Sequence, residues 1–147
     1  VRLCNHELLN AIFCRYLMQC RKDNIDFRTD IRKDTCTFLN ETDMTSLFCN
    51  LLDNALEAAR YIPDSFIELT VQRKEHSSFI VIIVINSCRC TPVYDQDGLP
   101  VSHKSSKGRH GFGIKSIKKV VKQYHGNLQM YYDNDSGTFH TIITLKQ

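Results

Sequence analysis

Phe79-Ile80-Val81-Ile82-Ile83-Val84-Ile85 is an unbroken run of seven apolar residues, six of them β-branched. It is too short to cross a bilayer as a helix, and its stiff side chains favour extended backbone. It therefore reads as a strand lying centrally in a sheet, and the rest of the chain must flank and cover it. Phe66 to Arg73 is the natural partner, joined to a strand over Phe79 to Asn86 by the polar Lys74-Glu75-His76-Ser77-Ser78 hairpin. Residues 25–32 alternate apolar and polar, as a strand buried on one side does. Two more strands fall near 127–132 and 138–146, around the turn Asp133-Asn134-Asp135-Ser136-Gly137.

Helical spacing covers the remainder. Leu8, Leu9, Ile12, Phe13, Tyr16, Leu17 and Cys20 form one stripe within residues 5–22, and Asn24 ends that helix. A second helix opens at Thr42 or Asp43 and runs to Arg60, with Met44, Leu47, Phe48, Leu51, Leu52, Ala55 and Leu56 inward and Pro63 closing it. A third spans Lys115 to a C-cap glycine, Gly126. The order helix, strand, helix, strand, strand, loop, helix, strand, strand predicts an α+β fold of one domain over residues 1–147. Its sheet is mixed, mostly antiparallel, and covered on one face by three helices. From Ser87 to Arg109 no periodicity is sustained, and a loop of that length is a functional lid or disordered.

Composition excludes several classes. A formal charge of +3 is too mild to argue for nucleic acid, and no aromatic stacking pattern accompanies the lysines gathered between 104 and 122. Lys115, Lys118, Lys119 and Lys122 fall on the face of the third helix opposite Ile114, Ile117, Val120, Val121 and Tyr124, as a solvated face would. Seven cysteines, an odd number spread through predicted helices and strands, fit reduced thiols better than a disulfide scaffold. Cys88-Arg89-Cys90 lacks a second ligand pair for zinc. The chain opens at Val1 without a signal-peptide pattern, as a piece of a longer protein would.

Two segments carry chemistry. Lys107-Gly108-Arg109-His110-Gly111-Phe112-Gly113-Ile114 leads into the third helix, and its glycines let backbone N–H groups approach an anion at the positive end of the helix dipole. About sixty residues upstream, Asn50 and Asn54 share one face of an otherwise apolar helix, followed by the small Ala55, Ala58 and Ala59. Amide oxygens suit Mg²⁺, which draws its other ligands from water and phosphates. The alternative is that both amides bond to nearby backbone.

Asn50-Leu51-Leu52-Asp53-Asn54-Ala55-Leu56-Glu57-Ala58-Ala59 resembles the asparagine box, and residues 107–114 the second glycine box, of the GHKL superfamily of ATP-binding domains. That superfamily groups gyrase, Hsp90, histidine kinases and MutL, and the resemblance extends over essentially the whole chain. It implies the two-layer α/β sandwich called the Bergerat fold, with an ATP lid. The chain is most similar to the catalytic domains of sensor histidine kinases of the peptide-pheromone, accessory-gene-regulator type. Asn10 to Cys20 with Asn24-Ile25-Asp26-Phe27, Glu57 in place of a basic residue, and Val84-Ile85-Asn86-Ser87 in place of the first glycine box carry that similarity.

The resemblance implies ATP and Mg²⁺ as ligands. Asn54 would hold the metal with Asn50 assisting, Gly111, Phe112 and Gly113 would contact phosphates through backbone amides, and Lys107 would approach the γ-phosphate. Asn50, Asn54 and Lys107 are thereby the catalytic set, and Glu57, Asn86, His110 and Ile114 complete the ATP site. His110 either bonds phosphate or orders the lid. Asn86 stands where the family has an acid for the adenine amino group, so an acceptor is kept and a charge lost. Hydrolysing relatives have a Glu where this chain has Asn50, so transfer is favoured over hydrolysis.

The implied activity is transfer of the γ-phosphoryl of ATP·Mg to a histidine on a separate dimerisation domain and thence to a response regulator. The setting is the cytoplasmic part of a membrane-anchored homodimer, without membrane contact by this domain. The alternatives are a non-catalytic nucleotide-binding module and a serine kinase of the anti-sigma-factor kind. His6-Glu7-Leu8-Leu9-Asn10 superficially resembles a phosphoacceptor box, although such histidines lie on a two-helix hairpin and one helix precedes the first strand here.

Overall fold

A computed structural model describes residues 1–89, 93–100 and 109–147, with 109–112 described in their backbone. The chain runs α1 (Glu7–Lys22), β1 (Asp26–Ile31), α2 (Glu41–Ala59), β2 (Phe66–Arg73), β3 (Phe79–Ser87), α3 (Arg109–Gln123), β4 (Asn127–Asp133) and β5 (Thr138–Lys146). The strands form one sheet in the order β1-β2-β3-β5-β4, parallel between β1 and β2 and antiparallel elsewhere. The apolar run of β3 is central, as its composition requires. Ile80, Ile82 and Val84 turn to the helices beside Ile67, Leu69 and Val71 of β2 and Ile143 and Leu145 of β5, all nearly inaccessible. Among the described residues no helix is long and apolar enough to cross a membrane.

α2 lies across this face and organises the core. Met44, Leu47, Phe48, Leu51, Leu52, Ala55 and Leu56 are buried as their spacing predicts, and Phe48 meets Phe13 of α1 edge to face with centroids 5.3 Å apart. The N-cap is Asn40, earlier than the expected Thr42 or Asp43: its side chain accepts from the Asp43 amide at 2.7 Å. Asp43 is thereby left to bind α3, accepting from Tyr124 Oη at 2.7 Å and Gln123 Nε2 at 3.1 Å. This ties the start of α2 to the end of α3, so the two helices run antiparallel.

Both short-loop helix ends close by the same device. Asn24 (φ 57°) follows α1, with the Ile25 amide donating to Cys20 and the Asn24 amide to Arg21. After α3 the left-handed residue is His125 (φ 51°), with the Gly126 amide donating to Val121 at 2.8 Å. Gly126 is therefore not the left-handed cap that the sequence predicts. A Cβ there would stand 2.0 Å from the Thr144 carbonyl, so glycine is required by the close crossing onto β5.

His6 also finds a structural task. Its Nδ1 accepts from the Leu9 amide at 3.4 Å and caps α1, which gives the imidazole a role other than phosphoacceptor. The stretch expected as a lid is shorter than predicted, since Ser87 belongs to β3. Part of it is a bridged turn in which Tyr94 pairs with Pro100 and Leu99 is buried. Lys118 of α3 reaches its Asp97 at 3.6 Å. The remaining expected lid residues, 90–92 and 101–108, lie outside the described residues.

Candidate functional site

Asn50 and Asn54 emerge half-buried from the face of α2 that meets α3. The Nδ2 of Asn50 donates to the Ser46 carbonyl at 2.6 Å. A carbonyl accepts only the amide nitrogen, so this bond turns the Oδ1 of Asn50 away from its own helix. The oxygen faces Gly113: a Cβ on that residue would lie 3.3 Å from Asn50 Oδ1 and 3.6 Å from Asn54 Oδ1. The two predicted segments thus meet at one point, where two neutral oxygens converge on a bare backbone. The backbone-bonding alternative holds for one half of Asn50 and orients the other.

α3 begins at Arg109, six residues before the predicted start, which puts Gly111 and Gly113 inside the helix instead of in a turn. The amides of residues 109–111 are among the first N–H groups that an α-helix leaves without internal acceptors, and the positive end of the dipole adds to them. Gly111 is among these donors, whereas Phe112 and Gly113, also expected as donors, lie past them. Gly113 instead provides the close approach to Asn50 and Asn54. Lys107 lies outside the described residues, and for His110 the helical backbone alone is described. Ile114 is half-buried on α3, followed by buried Ile117, Val120 and Val121 and exposed Lys115, Lys118, Lys119 and Lys122.

Asn86 closes the inward row of β3 at its C-terminal end, 2% exposed, and pairs with Ile67 of β2 and Phe139 of β5. Its Nδ2 donates to the Ser87 carbonyl at 3.0 Å, so Oδ1 is the end presented as acceptor. Ser87 Oγ in turn accepts from the Phe66 amide at 3.0 Å and fixes the end of the strand pair. Glu57 is half-buried on α2, one turn past Asn54. Of the three alanines expected to leave room for a ligand, Ala55 and Ala59 are core residues and Ala58 is half-buried.

Two amide oxygens without a carboxylate suit a cation that brings most of its ligands with it. Among the described residues no group of three or more His, Cys, Asp or Glu could hold a metal. Mg²⁺ arriving with phosphates fits this donor set, because it keeps waters and phosphate oxygens as ligands. The described cysteines, 4, 14, 20, 36, 49 and 88, form no disulfide, and Cys90 lies outside the described residues. Burial raises the thiols of Cys20 and Cys36 to about 11, so neither is a nucleophile near neutral pH.

Sequence reasoning missed a neighbour of this site. Tyr16 looks like one more apolar position of the α1 stripe, yet its hydroxyl donates to Asp53 Oδ1 at 2.6 Å, beside Asn54. Burial and the Asp53 carboxylate hold the phenol well above its ordinary pKa, so it stays a neutral donor. Cys49 and Asp53 lie one turn apart on α2, but only tertiary packing pairs them with Tyr16 of α1.

Comparison with known proteins fits this geometry. A Rickettsia felis protein described as an NtrY-like sensor histidine kinase is 29% identical over a 138-residue alignment that covers 90% of this chain and 22% of that protein. The chain thus spans about a fifth of that relative. Among solved structures, the catalytic domain of histidine kinase ThkA superposes with a TM-score of 0.71 at 17% identity, covering 95% of this chain and 90% of that one. The mycobacterial sensor histidine kinase MprB gives 0.65 at 14% identity, over 94% and 95% of the two chains. The fold is that of these domains, and the GHKL domain profile matches residues 39–145. With the asparagine face of α2 set against the first turns of α3 inside that match, the chain belongs to the GHKL domain family.

Proposed function

We propose that the chain is the ATP-binding catalytic domain of a sensor histidine kinase, delivering the γ-phosphoryl group to a histidine on a dimerisation hairpin. The observation that carries this reading is the convergence of Asn50 and Asn54 Oδ1 on Gly113, at the opening of α3. Asn54 would hold Mg²⁺ with Asn50 beside it, and the amides of residues 109–111 would face the phosphates. The metal supplies charge neutralisation on the phosphate oxygens. Asn86 Oδ1 accepts from the adenine amino group, and Lys107 and His110 belong to the phosphate side. Glu57 and Ile114 complete the pocket wall.

The chemistry is positioning and electrostatics. The bond between the γ-phosphorus and the bridging oxygen breaks, a bond from an imidazole nitrogen forms, ADP leaves, and the imidazole gives up its proton. At position 50 an amide replaces a base that would activate water, so transfer is favoured over hydrolysis. Glu57 and the sequence Val84-Ile85-Asn86-Ser87 support the accessory-gene-regulator subtype. In that setting the domain faces the cytoplasm of a membrane-anchored homodimer and serves a response regulator.

One observation favours a second reading, a non-catalytic nucleotide-binding module: Asn86 offers adenine no charge, and its Nδ2 is engaged by Ser87. Titration calorimetry with ATP, with and without Mg²⁺, tests the site. Asn54→Ala is expected to abolish the Mg²⁺-dependent affinity, and unchanged binding would sink the assignment. Adding a dimerisation hairpin and [γ-³²P]ATP then separates the readings. Acid-labile label on histidine is expected; acid-stable label indicates a serine kinase, and binding without label indicates the module.

A further inference from the structure

The turn of α2 that carries both asparagines is held from two sides. One face looks at Gly113 of α3, with the Oδ1 atoms of Asn50 and Asn54 turned to it. The other face meets Tyr16 of α1, a side chain only 4% exposed. The Tyr16 hydroxyl donates to Asp53 Oδ1 at 2.6 Å and lies 3.1 Å from the Cys49 carbonyl. Arg15 stands over the same ring at 5.0 Å and donates from Nη2 to the hydroxyl at 3.3 Å.

Cys49 and Asp53 immediately precede Asn50 and Asn54. Successive helical residues differ by about 100° around the axis, so a contact at 49 and 53 fixes the azimuth at which 50 and 54 project. The leverage is large. A side-chain oxygen roughly 5 Å from a helix axis moves about 1 Å for 10° of rotation, which is the scale at which positioning for reaction is lost. A short hydrogen bond to a carboxylate is among the stronger contacts available for that purpose.

We propose that Tyr16 is a positioning residue for the metal side of the nucleotide site, its hydroxyl setting the rotation of α2 through Asp53 and Cys49. This rests on Asn50 and Asn54 receiving Mg²⁺ and nucleotide, as proposed above. Tyr16 touches neither ligand and acts through the helix alone.

Four variants of the 147-residue chain test it: Tyr16→Phe, Asp53→Ala, Asp53→Asn and the Tyr16→Phe/Asp53→Ala double. Asp53 is exposed, so its variants fold even if Tyr16→Phe does not. The readout is the ratio of ATP dissociation constants with and without Mg²⁺, which a loss of general stability leaves in place. Tyr16→Phe and Asp53→Ala are expected to weaken the Mg²⁺-dependent part about tenfold, the size of one charge-assisted hydrogen bond. Asp53→Asn, which keeps the acceptor oxygen but not the charge, should fall between the wild type and Asp53→Ala, and the double variant should be no weaker than either single.

A wild-type ratio in Tyr16→Phe and Asp53→Ala overturns the inference, as does an Asp53→Asn as weak as Asp53→Ala. If the wild type itself shows no Mg²⁺ dependence, the site reading fails instead. The side-chain amide NMR signals of Asn50 and Asn54 in the nucleotide-free chain then decide on Tyr16 alone. Displacement of both in Tyr16→Phe supports the positioning role, and unmoved signals overturn it.

Discussion

The Oδ1 of Asn50 lies 3.3 Å from the place a Cβ would occupy on Gly113, and the amide cannot swing away without breaking its 2.6 Å bond to Ser46. Glycine inside a helix costs about 1 kcal/mol relative to alanine, so its presence in α3 needs a reason, and this contact is one. Gly113→Ala should trade affinity for helix stability. Titration calorimetry is expected to show Mg·ATP affinity about tenfold weaker, whereas the thermal midpoint without nucleotide should rise or hold, the propensity gain of about 1 kcal/mol offsetting the crowding. A variant that loses midpoint and keeps affinity contradicts this account.

At Asn86 the structure argues against the simplest repair. Restoring the family's acid by Asn86→Asp looks like a gain for adenine, but the amide donates to the Ser87 carbonyl and is 2% exposed. A carboxylate there would face an oxygen in a dry site, at a cost of about 1–3 kcal/mol for the unmet polar group. Asn86→Asp should therefore unfold at lower denaturant than the wild type near neutral pH. The deficit should shrink on acidification, because protonation removes the buried charge and restores a donor.

The ends of α1 and α2 are joined by Asp23, which accepts from Gln19 Nε2 at 3.2 Å and from Arg60 Nε at 3.0 Å. These bonds, Gln19's first and then Arg60's, hold the Asp23 carboxyl below its usual value. A depressed folded pKa contributes stability above the unfolded value of about 3.9 and loses it as pH falls through the folded one. Thermal midpoints taken from pH 7 downward should show wild type above Asp23→Asn at neutral pH. The gap should close below the ordinary carboxylate range, and a constant gap would assign the difference to packing alone.

Much of the fold was legible because it rests on short-range chemistry. The β-branched run of β3 could only be central, and the stripe from Met44 to Leu56 could only face a core. The left-handed Asn24 announced its helix end. Errors fell where neighbours compete. Asn40 outbid Thr42 and Asp43 as cap because Asp43 is drawn to Tyr124, 81 residues away. Gly126 looked like a left-handed cap and is instead a gap beneath the Thr144 carbonyl.

The candidate site divides the same way. Asn50 and Asn54 on one helical face, and glycines at the opening of α3, follow from periodicity and from backbone freedom, properties of a few adjacent residues. Which atoms of those segments face each other is not such a property. The antiparallel seating of α3 on α2 turns Gly113 into a close contact, the Ser46 carbonyl aims one amide oxygen, and Tyr16 fixes the helix from behind. The sequence by itself determined the elements and the residue types of the site, because both are written in local spacing. Only the tertiary structure decided the facing of those residues, because rotation about a helix axis is set by contacts with other helices.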